Sequence, residues 1–257
     1  MIIDSHLHTE FSADSEMKAA DALRAAGAQG IGLVFTEHAD FSYPGEKDFV
    51  FSPEDYWAAY EPLRGENLSL GVEIGMVPGE TELAQSFIAR APFDEVIGSI
   101  HLIDGDDIYE QKLYEGKAQR DVYLRYFTLM EEMVRANPYI DTLAHLDYIS
   151  RYAPYDCPGI HYDEYGEAIE AVLRAAVETE TAVEINTRRF GDRLAMKELV
   201  PIFKRYAELG GRFVTVGSDA HRASAVGAYL PLAMDLAAAC GLTVVTFRER
   251  KRIEIKM

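Results

Sequence analysis

Residues 1–38 run MIIDSHLHTEFSADSEMKAADALRAAGAQGIGLVFTEH. Residues 1–6 begin with a short apolar run, MII. Residues 16–27 form an amphipathic stretch, and residues 30–37 form a second, mostly apolar run rich in branched side chains. This pattern predicts a strand, a helix and a strand in succession. Because strands joined by a crossover helix lie parallel, the first 38 residues predict an α/β protein with a parallel sheet.

The same alternation continues to the end of the chain. Further strands are predicted at 68–75, 93–100, 140–145, 181–186, 212–218 and 242–247, and further helices at 53–64, 80–90, 119–136, 163–179, 195–209 and 224–239. Seven or eight such units in 257 residues match the size of a closed β/α barrel. A doubly wound open sheet is the alternative. With no linker or repeat in the sequence, we expect one domain over residues 1–257.

The composition restricts the classes of partner. The chain has 43 acidic and 25 basic residues and a net charge of −18, which would repel a nucleic-acid backbone. A small phosphorylated substrate stays compatible, because bound metal cations reverse the local sign of the charge. We expect a cytoplasmic protein with no membrane partner, since the sequence lacks both a long apolar run and a signal-peptide pattern. The oligomeric state is left open.

Histidines follow the predicted strands. In a parallel barrel the carboxyl ends of all strands open onto one face, so these side chains would converge there. A lone histidine is more often a structural residue, but six at strand ends favour a metal site. His161, the seventh, falls in a predicted surface loop. The six are His6, His8, His38, His101, His145 and His221.

Carboxylates accompany these histidines. Glu73 lies late in the third predicted strand and Asp219 follows the seventh. Imidazole and carboxylate groups bind zinc, manganese and iron, with about four ligands to an ion. The HLH spacing of His6 and His8 recurs in Asp219 and His221, and residues two apart at a strand end point to one side. The set predicts two to three divalent metal ions (Zn, Mn or Fe).

Six motifs in this order, DSHLHTEFSAD, FTEHAD, GVEIG, IGSIH, AHLD and GSDAH, resemble those of the PHP (polymerase and histidinol phosphatase) family. The resemblance covers about residues 2–230. GVEIG followed by PG, and EINTRR before GSDAH, are most similar to the histidinol-phosphate phosphatase branch. The resemblance implies a distorted seven-stranded β/α (TIM-like) barrel with a trinuclear metal centre at the strand C-terminal face. It also implies a phosphomonoesterase that cleaves L-histidinol phosphate in histidine biosynthesis.

The resemblance further implies which residues hold each ion. The first ion would take His6, His8, Glu73 and Asp219, the second Glu73 as a bridge with His101 and His145, and the third Asp14, His38 and His221. Asp14 departs from the pattern, since some relatives have histidine there. Its alternative role is the N-cap of a helix that begins near residue 16.

The implied chemistry is in-line attack on phosphorus by a hydroxide between the first two metals. Glu73, Asp219, Asp14 and His38 are the predicted catalytic residues. The leaving alkoxide needs a proton, for which Asp14, His38 and a metal-bound water all stay open as donors.

Arginines are predicted to hold the phosphate, because the planar guanidinium can bind two oxygens. Arg151 and Arg188 are the first choices, and Arg189 and Arg222 are further candidates. The loop at 102–118 offers acidic and aromatic side chains for the amine and imidazole of histidinol, although a solvated acidic loop fits equally well. These side chains are Asp104, Asp106, Asp107, Tyr109 and Glu115.

Other functions stay open at this point. A phosphotyrosine phosphatase and a phosphodiesterase or nuclease can use the same fold, although no basic groove supports a nuclease. Bimetal amidohydrolases often need a carboxylated lysine at a strand end, and no predicted strand ends in lysine. A non-catalytic metal-binding module is also conceivable, but every expected ligand position is filled.

Overall fold

The computed structural model describes residues 1–256. Its strands are β1 (Ile3–Leu7), β2 (Gly32–Ala39), β3 (Leu68–Gly75), β4 (Val96–Ser99), β5 (Leu102–Ile103), β6 (Asp106–Asp107), β7 (Thr142–Leu143), β8 (Ala182–Asn186), β9 (Phe213–Gly217), β10 (Thr243–Arg248) and β11 (Lys251–Glu254). Its helices are α1 (Ala19–Gln29), α2 (Pro53–Tyr60), α3 (Thr81–Ile88), α4 (Gln119–Ala136), α5 (Tyr162–Glu178), α6 (Arg193–Glu208) and α7 (Leu230–Ala239).

Within residues 1–256, nine strands form one sheet in the order β1-β2-β3-β4-β7-β8-β9-β10-β11. All neighbours are parallel except β11, which pairs antiparallel with β10. The first strand returns to the chain that follows β9: Leu7 pairs with Ala220, and the amide of Asp219 donates to the carbonyl of His6 over 2.7 Å. The sheet therefore closes on itself, so the barrel prediction is confirmed and the doubly wound alternative is wrong. Since β10 and β11 continue the sheet beyond β9, the whole sheet exceeds the seven strands that the resemblance implied.

The barrel wall is buried on both sides, and its two faces differ in chemistry. Along β8, the inward-facing Glu184 and Asn186 alternate with the apolar Val183 and Ile185, and Glu184 pairs with Thr215 of β9. All five residues are buried. The apolar positions pack against the helices, while the polar positions line the barrel interior below the carboxyl ends of the strands.

Local sequence signals explain several element boundaries. Ser52 caps α2 by accepting a hydrogen bond from the amide of Asp55 over 3.2 Å, and Pro53 begins that helix. The start predicted for α7, residue 224, is six residues too early, because a separate 3₁₀ turn and a left-handed Gly227 precede Leu230. None of the helices in the described part of the chain is both long and apolar enough to cross a membrane.

The structure also contains elements that the sequence pattern did not indicate. The hairpin of β5 and β6 lies in the predicted loop at 102–118, and each strand has only two residues, too few for a period to be visible. Strand β11 has the sequence KRIE and is exposed along its whole length, so it carries no apolar pattern.

Candidate metal centre

The six histidines that follow the strands converge on one face of the barrel. The Nε2 atoms of His6 and His8 lie 3.1 Å apart, and the ring of His8 stacks on that of His38 with centroids 4.1 Å apart. The ring of His221 lies 4.3 Å from that of His8. Five of the six are buried, and His221 is half-buried. His161 is not part of this cluster: it lies in the partly exposed loop before α5, at the N-cap position of that helix.

Glu73, at the carboxyl end of β3, lies at the middle of the histidines. Its side chain is fully buried, and both of its oxygens face imidazole nitrogens. Oε2 lies 3.3 Å from His6 Nε2, 3.4 Å from His8 Nε2 and 3.0 Å from His38 Nδ1, and Oε1 lies 3.1 Å from His145 Nε2 and 3.3 Å from His101 Nε2. This position agrees with the bridging role that the resemblance implied, and the role itself stays a prediction.

Several polar atoms of the cluster are buried without a hydrogen bond among residues 1–256: Glu73 Oε2, His38 Nδ1, His101 Nε2 and His145 Nδ1. A buried polar atom that lacks a partner costs about 1–3 kcal/mol. Cations beside Glu73 Oε2, His38 Nδ1 and His101 Nε2 would remove that cost, whereas His145 faces Glu73 with its other nitrogen, Nε2. Imidazole with carboxylate is a donor set that zinc, manganese and iron accept. The residues present therefore fit a metal centre.

Ligand atoms in four triplets lie within 4.8 Å of one another: His6, His8 and Glu73; His6, His145 and Asp219; His38, Glu73 and His101; His8, His38 and His221. The first triplet agrees with the grouping that the resemblance implied. The shared members make one compact cluster rather than three separate sites. Such a cluster has room for two or three ions, as the sequence predicts.

Asp14 belongs to this cluster. Its Oδ2 lies 3.1 Å from His221 Nε2 and 3.6 Å from His38 Nε2. Helix α1 begins only at Ala19, with Lys18 at the N-cap, so the N-cap alternative for Asp14 is wrong. Burial alone would raise the pKa of Asp14, but the hydrogen bonds from the two histidines outweigh it and lower the pKa. Asp14 is therefore an anionic carboxylate beside two imidazoles.

Asp219 brings a third carboxylate to the cluster. Its Oδ1 lies 3.4 Å from His8 Nε2, and its Oδ2 accepts a hydrogen bond from Arg151 Nη1 over 2.5 Å. The backbone of Asp219 has a φ of 53°, in the left-handed region that non-glycine residues seldom adopt. Strained residues of this kind concentrate at functional sites.

Three further side chains orient the histidines, and the sequence analysis did not single them out. Each lies within hydrogen-bond distance of the Nδ1 atom of one histidine, which leaves Nε2 of that ring facing the cluster. They are Glu184, 2.8 Å from His6 Nδ1, Asp40, 2.7 Å from His101 Nδ1, and Ser12, 3.0 Å from His8 Nδ1. A signal was present in two cases, because Glu184 and Asp40 are acidic residues in or directly after buried strands, where acids are rare.

The cluster has a strongly negative surrounding. Burial lowers the pKa of His101, but the neighbouring carboxylates of Asp40 and Glu73 raise it to about 10. Burial raises the pKa of Glu73, yet the adjacent imidazoles lower it well below its usual range. Burial instead lowers the pKa of His8 and of His145, so the carboxylates raise the pKa of only part of the histidine cluster. Carboxylates this close to imidazole nitrogens would also attract divalent cations.

Two of the predicted arginines border the cluster. Arg151, in the short 3₁₀ turn after β7, donates to Asp219 and also from Nη2 to Asn186 Oδ1 over 3.0 Å. Arg188 follows β8, donates from Nη1 to the carbonyl of Asp219, and lies 3.1 Å from His221 Nδ1. The side chain of Arg188 is 35% exposed, so it reaches both the cluster and the solvent.

The other two arginines lie differently. Arg189 donates to Asp147 over 3.0 Å and lies 3.7 Å from Glu198, which places it in an ion-pair network beside the cluster rather than within it. Arg222 is exposed and lines an open cavity next to Asp14 and His221. Their roles toward a phosphate stay predictions.

A cavity of about 430 Å³ opens beside His38 and His101. Aromatic and acidic side chains share its lining: Tyr43, Phe49, Tyr109, Tyr148, Tyr152, Asp14, Asp40, Glu46, Asp107 and Glu110. Of the loop residues expected around the substrate, Asp107 and Tyr109 line this cavity. Asp104 instead pairs with Arg125 at 2.6 Å, Asp106 pairs with Lys112 at 3.0 Å, and Glu115 is exposed outside the cavity.

A closed β/α barrel that gathers histidines and carboxylates from successive strand ends defines a class, the metal-dependent hydrolases with a multinuclear centre. The model of the PHP domain family matches residues 4–188. The chain belongs to this family, in its histidinol-phosphatase branch.

Relatives cover the chain almost completely. A probable histidinol-phosphatase of Clostridium acetobutylicum is 43% identical over 97% of this chain and 98% of its own length. The histidinol-phosphatase of Lactococcus lactis subsp. lactis is 36% identical over 85% of this chain and 84% of its own. The crystal structure of a histidinol phosphate phosphatase from L. lactis subsp. lactis, complexed with zinc, L-histidinol and phosphate, superimposes with a TM-score of 0.92. That match has 31% identity and covers 98% of both chains.

Proposed function

We propose that this protein hydrolyses L-histidinol phosphate to histidinol and phosphate, a step of histidine biosynthesis, with two or three divalent metal ions at its histidine cluster. One observation carries the proposal. The buried Glu73 carboxylate faces five imidazoles with its two oxygens, and the Arg188 guanidinium borders the same cluster. Relatives that match nearly the whole chain and are named histidinol-phosphatases support the substrate.

The ligands proposed for the ions are those that the resemblance implied, with Glu73 shared between two groups. When bound, divalent ions lower the pKa of coordinated water and offset negative charge on a transferring phosphoryl group. Glu184 and Asp40 hold the rings of His6 and His101 with Nε2 toward the cluster. Arg188 would bind a phosphate oxygen, and its partial exposure beside His221 supports this role.

The aromatic and acidic cavity beside His38 and His101 suits the rest of the substrate. Histidinol carries an amine and an imidazole, and a cationic amine is stabilised by carboxylates such as Asp107 and Glu110. An imidazole ring can pack against Tyr148 or Tyr152 in the same lining. The aromatic lining would also admit a tyrosyl ring, so phosphotyrosine is the second candidate substrate.

A substrate panel tests the proposal. The metal-reconstituted protein is assayed with histidinol phosphate, phosphotyrosine, a nucleoside monophosphate and a phosphodiester, at equal concentrations. We expect histidinol phosphate to have the highest kcat/KM. A higher kcat/KM for phosphotyrosine would favour the second candidate, and turnover of the diester alone would refute the monoesterase assignment.

The proposed assignment carries two further predictions from the sequence. We propose that residues 1–257 form one domain and that the protein acts in the cytoplasm.

A further inference from the structure

One buried carboxylate supports histidines from two separate strands. Glu184 of β8 is 2% exposed and uses both of its oxygens. Oε1 accepts a hydrogen bond from His6 Nδ1 over 2.8 Å. Oε2 accepts one from the backbone amide of His145 over 2.8 Å and another from Asn186 Nδ2 over 3.1 Å. A single side chain therefore fixes a ring at the end of β1 and the backbone after β7.

Asn186 continues this network to the arginines. It lies two residues after Glu184, on the same inward face of β8, and it is 3% exposed. Its Oδ1 accepts hydrogen bonds from Arg151 Nη2 and from the backbone amide of Arg188, each over 3.0 Å. The pair formed by Glu184 and Asn186 thus lies between the histidine cluster and both arginines.

The neighbouring strand leaves space for this pair. Gly217 of β9 is the register partner of Asn186. A Cβ atom at Gly217 would lie 2.4 Å from Glu184 Oε1 and 2.4 Å from His6 Cβ, closer than real side chains approach. Glycine at this position therefore permits the contact between Glu184 and His6.

We infer that Glu184 and Asn186 are positioning residues that join the metal centre to the phosphate-binding arginines. Glu184 sets the orientation of His6 toward the ions, and Asn186 holds Arg151 and the backbone of Arg188. The inference rests on the proposed function, since it takes the arginines to bind phosphate. The two residues should differ in their main effect, because Glu184 contacts the predicted ligand His6 directly, while Asn186 contacts the arginines and reaches the predicted ligands only through Glu184 and Arg151.

The test uses the metal-loaded protein and three variants, Glu184→Gln, Asn186→Ala and Arg188→Ala. The matched control is Glu95→Gln. Glu95 is another buried glutamate of the barrel, and it accepts a hydrogen bond from the Thr142 hydroxyl rather than from a histidine. Zinc affinity is measured by competition with a chelator, and inorganic phosphate is the binding probe. Thermal unfolding of the metal-free proteins shows whether each variant folds. Glu184→Asp, which withdraws the carboxylate from His6 but keeps its charge, replaces Glu184→Gln if that variant does not fold.

Glu184→Gln should lower zinc affinity by about 10- to 100-fold, because an amide cannot accept from all three of the present donors. Asn186→Ala should keep zinc affinity within about twofold, and should weaken phosphate binding and raise the KM for histidinol phosphate by about tenfold, more than it lowers kcat. A fold defect alone would reduce the active fraction, and so kcat, without this change in KM. Glu95→Gln should change neither affinity.

Two results would overturn the inference. The first is that Arg188→Ala weakens phosphate binding while Asn186→Ala leaves it unchanged. The second is that zinc affinity changes no more in Glu184→Gln than in Glu95→Gln. The proposed function would fail on other results: the unmodified protein would not hydrolyse histidinol phosphate, and Arg188→Ala would bind phosphate normally. Normal phosphate binding by Arg188→Ala would also refute the role inferred for Asn186. The zinc affinities would still test the role inferred for Glu184.

Discussion

Glu73 shows how a single side chain can organise the centre. Its carboxylate is buried at the end of β3, and its Oε2 has no hydrogen bond within residues 1–256 although three imidazole nitrogens lie within 3.4 Å. Without cations, this arrangement leaves buried polar atoms without hydrogen-bond partners. Bound metal ions beside Glu73 and the histidines would supply those partners.

Glu73→Ala should therefore lose metal and activity together. We expect the bound metal to fall by at least one ion per chain, and kcat/KM for histidinol phosphate to fall by about 100-fold or more. Elemental analysis after dialysis, paired with a steady-state assay, measures both quantities. Turnover and metal content that both match those of the unmodified protein would refute the bridging role.

Glu95 offers a residue-scale prediction that concerns stability. Burial raises its pKa from 4.5 to about 8, against the lowering effect of the hydrogen bond from Thr142. The folded protein then binds this proton more tightly than the unfolded chain does, so the contribution of Glu95 to stability falls as pH rises from about 4.5 to about 8.

Glu95→Gln removes this titration. Its free energy of unfolding, relative to that of the unmodified protein, should increase between pH 5.5 and pH 8.5 by about 1 kcal/mol or more. Urea unfolding of both metal-free proteins at several pH values measures the difference. Parallel pH profiles for the two proteins would show that Glu95 has an ordinary pKa.

At the scale of elements, the end of the barrel opposite the histidines is closed by the turn between β10 and β11. Glu249 and Arg250 both have a positive φ in this turn, 51° and 63°, although neither is glycine. Asp94 holds the turn by accepting from the amide of Glu249 over 2.9 Å. The same carboxylate accepts from Arg64 at 2.8 and 2.6 Å and from the amide of Leu70 at 2.9 Å.

Asp94→Ala should destabilise the fold by about 2–4 kcal/mol, because it leaves two backbone amides and a partly buried arginine without their acceptor. Since Asp94 precedes β4 at the end of the barrel remote from the histidines, KM should not change. Glu54→Ala, which removes an exposed ion pair with Arg90, is the control and should leave the unfolding midpoint almost unchanged. A midpoint shift no larger for Asp94→Ala than for Glu54→Ala would contradict this account of the turn.

The elements also show what a sequence can predict. The strands β1, β2, β3 and β8 were predicted within two residues at each end, because alternating or continuous apolar runs record burial directly. The hairpin of β5 and β6 and the strand β11 carry no such pattern. The side chains that orient the histidines were missed for another reason: Glu184 lies 178 residues from His6 in the chain, so only the closed barrel brings them together.

At the scale of the whole molecule, the function depends on closure of the barrel. The predicted ligands extend from His6 to His221, and the contact of β1 with Ala220 joins the two ends of this range. The net charge of −18 would repel a phosphate ester unless cations occupy the centre. The proposed activity therefore depends both on closure of the barrel and on metal binding.

Metal titration of the metal-free protein, with turnover of histidinol phosphate and bound metal measured in the same samples, tests the central claim most directly. We expect no turnover without metal, and full turnover with zinc or manganese once two to three ions are bound per chain. Turnover by the metal-free protein equal to that of the loaded protein would contradict it.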